Sequence, residues 1–101
     1  MREKGFQIIR ENYRLRGGEI DIIARDGGYI VFIEVKFRTG MNFGRPAEAV
    51  GHAKQQKIIH TAMHYIVAEN FEGPDFRFDI VEVLEQNGKM YANHIENAFG
   101  A

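Results

Sequence analysis

The sequence contains no cysteine among its 101 residues, and it has no long apolar run. The lack of cysteine excludes a disulfide framework and cysteine-ligated zinc, and it fits a reducing compartment. No apolar run approaches the roughly 18 residues of a membrane span, and the apolar part of the start "MREKGFQII" is too short for a signal peptide. These absences predict a soluble cytoplasmic protein without a membrane partner.

An excess of one charge is also missing, because the formal net charge is -1. This value alone predicts no nucleic-acid partner. The charges are unevenly distributed, however: residues 1–57 hold 11 Lys/Arg against 7 Asp/Glu, whereas residues 58–101 hold 2 against 7. The first part of the chain can therefore form a basic face under a near-zero net charge. The alternative is charge scattered over a solvated surface.

The rest of the composition is that of a single globular domain over residues 1–101, with 45% hydrophobic residues. Alternation, helical spacing and turn residues predict the order βββαββ, an α/β fold in which one long helix packs on a mixed central sheet. The predicted strands cover residues 6–16 (bent near 11–12), 19–25, 29–38, 76–84 and 90–95, the predicted helix covers 47–70, and "ENAF" (96–99) is expected to close the chain as a helical turn.

The predicted hairpin "GGEIDIIARDGGYIVFIEVKFR" (17–38) carries charged residues among its valines, isoleucines and phenylalanines. Successive side chains of a strand point to opposite faces of the sheet. In the second strand we expect Ile20 and Ile22 on one face and Glu19, Asp21 and Ile23 on the other. In the third strand the apolar face is expected to hold Val31, Ile33, Val35 and Phe37. The opposite face of that strand is expected to hold Phe32, Glu34, Lys36 and Arg38.

The register of this hairpin depends on the turn at "DGG". If Gly27 and Gly28 form the two-residue loop, Asp21 directly opposes Glu34. If the loop is Asp26 and Gly27, Asp21 lies diagonal to Glu34. Both registers keep the polar side chains on one face, because they differ by two residues.

Two directly opposed carboxylates repel each other, at a cost of around 4 kcal/mol for a separation of about 4 Å and an effective dielectric constant near 20. A shared proton, a nearby cation such as Lys36, or a bound divalent metal would offset this repulsion. Asp21, Glu34 and the backbone carbonyl of Val35 could bind Mg²⁺ or Mn²⁺, and Lys36 could orient or deprotonate an attacking water. That assembly is typical of metal-assisted phosphodiester hydrolysis.

The alternative is an exposed sheet edge, on which Glu19–Lys36 and Asp21–Arg38 are ordinary cross-strand ion pairs. Further basic residues flank the hairpin and begin the helix. Candidate phosphate contacts are Arg14, Arg16, Arg38, Arg45 and Lys57, and Lys54 and Lys57 could equally be the solvated start of an amphipathic helix.

Three other residues are interpreted as structural or incidental. His60 and His64 are four apart on the predicted helix, which is a zinc-like spacing, but no third ligand is evident and we expect no zinc site. Asp79 lies in an apolar strand, where we expect a structural carboxylate that caps or pairs with a helix residue.

An aspartate in "EID" followed thirteen residues later by "EVK" resembles the core motif of the PD-(D/E)XK nuclease superfamily. More closely, the chain resembles the YraN-like family of bacterial proteins, which is related to Holliday-junction resolvases. The stretches that carry this resemblance are "NYRLRGGEIDIIARDGG", "IVFIEVKFR", "PAEAV", "KQQKI", "RFDIVEV" and "HIENAF", and they span nearly the whole chain from Gly5.

This resemblance implies a restriction-endonuclease-like fold and a nuclease, or a nuclease-derived protein, that acts on branched or structured DNA. It implies Asp21, Glu34 and Lys36 as the catalytic residues, with Glu19 and Lys54 close to them. Family members usually begin with a longer helix, and the exposed apolar surface left without it could support a homodimer through strand exchange. Two alternatives keep the same fold: a non-catalytic nucleic-acid-binding module and a protein-interaction module.

Overall fold

The computed structural model describes residues 5–39, 50–71, 73 and 75–100, and in this part of the chain five strands and one helix follow the predicted order βββαββ. The elements are β1 (Gln7–Leu15), β2 (Gly18–Asp26), β3 (Tyr29–Thr39), α1 (His52–Ala68), β4 (Asp75–Gln86) and β5 (Lys89–Phe99). Arg45 and the first part of the predicted helix, residues 47–49, lie outside the described residues, as does the side chain of Arg38.

The strands form one mixed sheet in the order β1-β2-β3-β4-β5. Neighbouring strands are antiparallel except β3 and β4, which are parallel and aligned from Tyr29↔Asp75 to Thr39↔Glu85. Parallel neighbours need a long crossover connection, and α1 lies within it. The sheet therefore consists of a three-stranded antiparallel meander and an antiparallel hairpin, joined by a connection that contains α1, and an α/β fold is confirmed. Among the described residues, no helix has the length and apolar character needed to cross a bilayer.

The β2–β3 hairpin has the first of the two predicted registers. Asp26 pairs with Tyr29 and Ile22 pairs with Ile33, so Gly27 and Gly28 form the two-residue loop. Gly27 has φ +56°, a left-handed conformation that glycine adopts without steric cost. The described pairing of β2 with β3 ends at Ile22↔Ile33, immediately before Asp21.

The larger apolar core lies between the sheet and α1. Aromatic rings dominate its centre: Phe32 stacks on Phe78 with ring centroids 5.4 Å apart, and Tyr65 of α1 meets Tyr13 edge-on at 5.0 Å. Such contacts add to the gain from burial alone. The buried members of this cluster are Ile20, Ile23, Ile30, Phe32, Val50, Ile58, Ala62, Tyr65, Phe78 and Ile80.

A smaller cluster lies on the opposite face of the sheet and contains Phe6, Ala24, Val31, Ile33 and Val81. The alternation predicted for β3 agrees with this division. The alternation predicted for β2 is wrong, because Ile20 packs with the helix-side core whereas Ile22 packs against the opposite cluster. The strand changes its pattern at Asp21, where its pairing with β3 ends.

The C-terminal part of the sheet is longer than predicted. "ENAF" is not a helical turn but the end of β5, and its Phe99 stacks on Phe78 at 5.2 Å. This contact partly buries the ring of Phe99 against the larger core. The predicted bend in β1 is seen at Asn12, which has φ 52°.

Candidate functional site

The first acidic residue of the site, Asp21, lies where β2 separates from β3. Its Oδ2 atom accepts a hydrogen bond from the backbone N–H of Val35 at 2.8 Å. The backbone pairing of β2 with β3 has ended at this point. The carboxylate therefore accepts the hydrogen bond of a backbone N–H group of β3 in place of a backbone carbonyl of β2. This bond fixes the side chain of Asp21 beside the "EVK" segment of β3.

The second acidic residue, Glu34, is almost completely buried, with 6% of its surface exposed. Burial is the largest reason that the pKa of Glu34 is raised from the usual 4.5 to about 7, followed by a hydrogen bond with Asp21 and by the negative charge of Asp21. Lys54 partly opposes this shift. Near neutral pH the two carboxylates can therefore share one proton, which is one of the three compensations expected for opposed acids.

The cation that contacts Glu34 is Lys54 and not the predicted Lys36. Nζ of Lys54 lies 3.4 Å from Oε2 of Glu34, and 51% of the Lys54 side chain remains exposed. Lys54 belongs to the first turn of α1, which crosses the sheet above β2. Lys36 is half-buried, with Glu82 as its register partner on β4, and it lies outside the lining of the cavity described next.

A cavity of about 380 Å³ brings together residues from β2, β3 and α1. Its lining residues are Gly18, Glu19, Asp21, Glu34, Ala53, Lys54, Lys57 and Ile58. Acidic side chains come from the strands and basic side chains come from the helix. The arrangement can hold a cation at the acidic side chains and an anion at the lysines. A metal ion and a phosphate group would need this charge pattern.

The helix can approach the cavity because β2 begins with a glycine. A Cβ atom built on Gly18 would collide with Oγ1 of Thr61 and would lie 3.3 Å from the backbone carbonyl of Lys57. Thr61 in turn donates a hydrogen bond to that same carbonyl at 2.8 Å. Gly18 therefore sets the distance at which the lysines of α1 stand over Asp21 and Glu34.

The ion pair considered for Glu19 differs from the observed one, whereas the pair Asp21–Arg38 lies outside the described residues together with the side chain of Arg38. Glu19 forms an ion pair with Arg14 of β1, with 3.3 Å between Oε2 and Nε, rather than with Lys36. Arg14 and Glu19 are register partners across β1 and β2, which explains this choice. The side chain of Arg16 is exposed. Arg14 lies near the end of β1 and Arg16 in the turn that follows, next in the chain to the cavity-lining residues Gly18 and Glu19.

Asp79 is structural, as expected, but its partners are on strands and not on the helix. It accepts hydrogen bonds from Arg77 at 3.0 and 3.1 Å and from the backbone N–H of Asn97 at 2.9 Å, and it lies 2.7 Å from Nε2 of His94. Arg77 also contacts Asp26 at 3.1 Å. The bond with Asp79 raises the pKa of the Arg77 guanidinium. This cluster ties β4 to β5 and to the β2–β3 turn.

Sequence reasoning also missed one buried acid, Glu82, which is fully inaccessible on β4. Its position in the row Phe78, Ile80, Glu82, Leu84 was the available signal, because these side chains share the helix-facing side. His60 and His64 of α1 have ring centroids 4.7 Å apart. Within the described residues no group of three or more His, Cys, Asp or Glu side chains could hold a metal ion, which leaves this pair without a third ligand.

The comparison with known proteins identifies the family. A family model described as "Uncharacterised protein family UPF0102" matches residues 1–83. The chain belongs to this family. UPF0102 is the YraN family, so the family predicted from the sequence is confirmed.

Three curated UPF0102 relatives illustrate the similarity. The UPF0102 protein of Caldanaerobacter subterraneus subsp. tengcongensis is 48% identical over 100 residues, which cover 96% of this chain and 82% of the relative. The relative from Symbiobacterium thermophilum is 47% identical, with 96% of this chain and 83% of the relative covered. The relative from Lachnoclostridium phytofermentans is 45% identical, with 98% and 81% covered.

The donor atoms of this UPF0102 protein suit a hard divalent cation. Asp21 and Glu34 supply two carboxylates, and Mg²⁺ is bound in proteins by one or two carboxylates together with several waters. The described residues that line the cavity include no cysteine, methionine or histidine, which are the ligands that would favour zinc or copper. The residues present therefore fit Mg²⁺ or Mn²⁺, and a bound cation would offset the charge repulsion between the two acids.

Proposed function

We propose that this UPF0102 protein is a metal-dependent nuclease, or a nuclease-derived DNA-processing protein, with a restriction-endonuclease-like fold, and that it acts on branched or structured DNA. The observation that carries this proposal is the shared cavity of Asp21 and Glu34, whose opposite side is formed by Lys54 and Lys57. Two nearby carboxylates, one of them buried, are unfavourable for folding alone, and a role in cation binding explains their presence.

In this proposal Asp21, Glu34 and the backbone carbonyl of Val35 hold Mg²⁺ or Mn²⁺. The ion would act as a Lewis acid on a phosphate oxygen. The hydrogen bond from Val35 keeps the carboxylate of Asp21 in position, so that little conformational entropy is lost on binding. Lys36 follows Glu34 by two residues on the same face of β3, from which it can orient the attacking water and stabilise charge on the phosphate.

The basic residues would bind the DNA backbone. Lys57 lines the cavity, and Arg14 of β1 and Arg16 of the turn between β1 and β2 extend the positive charge beside it. Arg38 and Arg45 belong to the same proposal on sequence grounds. Lys54 and Glu19 support the centre, Lys54 through its contact with Glu34 and Glu19 through its pair with Arg14.

The experiment that tests this proposal is a cleavage assay on branched, flapped and single-stranded DNA with Mg²⁺ or Mn²⁺. We expect metal-dependent cleavage by the wild type and a loss of at least about 100-fold in Glu34→Ala, because the metal would lose a ligand. Glu85→Ala is the matched control, since Glu85 is exposed on β4. Cleavage that survives Glu34→Ala at the wild-type rate would refute the proposed site.

A second candidate is a nucleic-acid-binding or protein-interaction module without catalysis. The exposed Arg14 and Arg16 favour the nucleic-acid variant, which predicts salt-dependent DNA binding that needs these arginines and no metal. The protein-interaction variant, which includes a homodimer through strand exchange, predicts a stable complex without DNA affinity. Size-exclusion chromatography with and without DNA distinguishes the two variants.

A further inference from the structure

We infer that Lys54 is a tethered counter-ion, which contacts Glu34 while no metal is bound and moves to a phosphate group of the nucleic acid once a metal takes its place. This inference rests on the proposed function, because it needs a cation site at Asp21 and Glu34. It assigns Lys54 a coupling role between metal and nucleic acid. The alternative is that Lys54 has only a structural role and keeps its contact with Glu34 throughout.

The first argument is the contact itself. Glu34 is a nearly buried carboxylate, and such a group is strongly unfavourable in a protein without a charged partner. Among the described residues, the ion pair of Glu34 is made with Lys54, and the atom that Lys54 contacts, Oε2, belongs to the carboxylate offered to the metal. The ammonium group and a metal ion therefore compete for the same negative charge.

The second argument is that Lys54 is poorly suited to a permanent contact. Half of its side chain is exposed, and the distance of 3.4 Å is longer than the 2.7–2.9 Å typical of a tight charged hydrogen bond. Exposed side chains exchange rotamers within nanoseconds. Lys54 also lies in the first turn of α1, where the helix dipole disfavours a cation. The side chain can therefore leave Glu34 without a change in the fold.

The third argument concerns the destination of Lys54. Lys57 is three residues further along α1, so the two side chains share a helix face, and both line the cavity. A metal ion at Glu34 would repel the ammonium group of Lys54, and a phosphate group close to Lys57 would attract it. Two lysines beside the positive end of a helix form a favourable position for a phosphate oxygen. Metal binding would then increase the affinity for nucleic acid, and by reciprocity nucleic acid would increase the affinity for metal.

The test compares Mn²⁺ binding by calorimetry with binding of a fluorescent four-way DNA junction by anisotropy. Lys54→Met keeps the unbranched stem and removes the charge, and Lys89→Met removes a charge from the exposed β4–β5 turn as the matched control. We expect Lys54→Met to bind Mn²⁺ about 5- to 10-fold more tightly than the wild type and the control. We also expect Mn²⁺ to increase junction affinity several-fold in the wild type, and this increase to disappear in Lys54→Met.

We expect Glu34→Gln to lose Mn²⁺ binding. If it does, and if Lys54→Met binds Mn²⁺ no more tightly than the wild type, the counter-ion role is overturned and the proposed metal site remains intact. No Mn²⁺ binding by the wild type and by Lys54→Met would overturn both. Lys54→Arg retains the charge and should behave as the wild type. If Lys54→Met does not fold, the following measurement on the wild-type protein still tests the inference. In addition, the side-chain ¹⁵N resonance of Lys54 should shift on Mg²⁺ addition in the wild type and not in Glu34→Gln.

Discussion

At the scale of single residues, Glu34 shows what the sequence could and could not predict. Alternation along β3 was enough to place Glu34 on the face that bears Phe32. Its burial depends on α1, whose position over β2 follows from packing between residues about forty positions apart and is not encoded in any local pattern. The partner of Glu34 is Lys54 and not the expected Lys36 for the same reason: Lys54 is twenty residues away in the chain and reaches Glu34 only through the packing of α1.

The raised pKa of Glu34 predicts a dependence of stability on pH. A carboxyl group with a pKa of 4.5 in the unfolded chain and about 7 in the fold binds its proton more tightly when folded. Its favourable contribution is complete below pH 4.5 and is lost as the pH rises to 7. Glu34→Gln mimics the protonated form, so it should be more stable than the wild type at pH 8, by at most about 3 kcal/mol, and no more stable at pH 4.

Urea unfolding of both proteins between pH 4 and pH 8 measures this difference. Glu19→Gln is the control, because Glu19 is partly exposed and pairs with Arg14 on the surface. Parallel stability curves for Glu34→Gln and the wild type would contradict the shifted pKa. The difference between the curves is the relevant quantity, since titrating groups that do not interact with Glu34 contribute equally to both.

At the scale of secondary-structure elements, the distance between α1 and β2 decides whether the cavity exists. Gly18 allows this approach, and Thr61 and the Lys57 carbonyl occupy the space that a side chain would need. The sequence showed Gly17-Gly18 only as a strand break. It could not show that the second glycine also contacts a helix turn more than forty residues later, because glycine in a turn and glycine at a close approach look the same in a sequence.

Gly18→Ala should therefore destabilise the protein by about 1–3 kcal/mol and should weaken Mn²⁺ binding, because the added methyl group pushes α1 away from the acids. Gly28→Ala is the matched control, since a Cβ at Gly28 meets nothing within 4 Å. Thermal unfolding and calorimetry of the two variants check this expectation. Thr61→Ala in the Gly18→Ala background should restore part of the stability, and an unchanged double variant would contradict the proposed collision.

The strands were predicted only in part, because local patterns in the sequence do not reveal tertiary contacts. The turn at "DGG" reduced the β2–β3 hairpin to two possible registers, because a two-residue loop fixes which residues oppose each other, and the structure has the first of them. The changed pattern at Asp21 and the strand conformation of "ENAF" did not follow. The first arises from a side chain that replaces backbone pairing, and the second from a phenylalanine that stacks on a distant strand. Both are tertiary effects that outweigh local preference.

At the scale of the whole molecule, the uneven charge distribution predicts how salt acts on nucleic-acid binding. The basic side chains that line or adjoin the cavity come from β1 and α1, within the net-positive part of the chain. DNA affinity should fall steeply as salt increases, and each phosphate contact that is removed should reduce the slope of log K against log salt by about one. Lys57→Gln should show this reduction.

Lys89→Gln should keep the wild-type slope, because Lys89 begins β5 at the turn after β4, in the net-negative part of the chain. Fluorescence anisotropy over a range of salt concentrations measures both variants. Equal slopes for Lys57→Gln and the wild type would show that the cavity lysine makes no phosphate contact, and the DNA-binding surface would then have to be sought along β1.

The parallel pairing of β3 with β4 has a consequence for the order of folding. The β1–β2–β3 meander and the β4–β5 hairpin close through tight turns, whereas the register partners Tyr29 and Asp75 are separated by 45 intervening residues. Long-range pairing forms slowly because loop-closure entropy is lost before contacts are gained. Asp21 and Glu34 thus come together early, and the lysines of α1 arrive with the crossover. During synthesis on the ribosome, we expect Asp21 and Glu34 to be close together for a time before Lys54 and Lys57 pack over them.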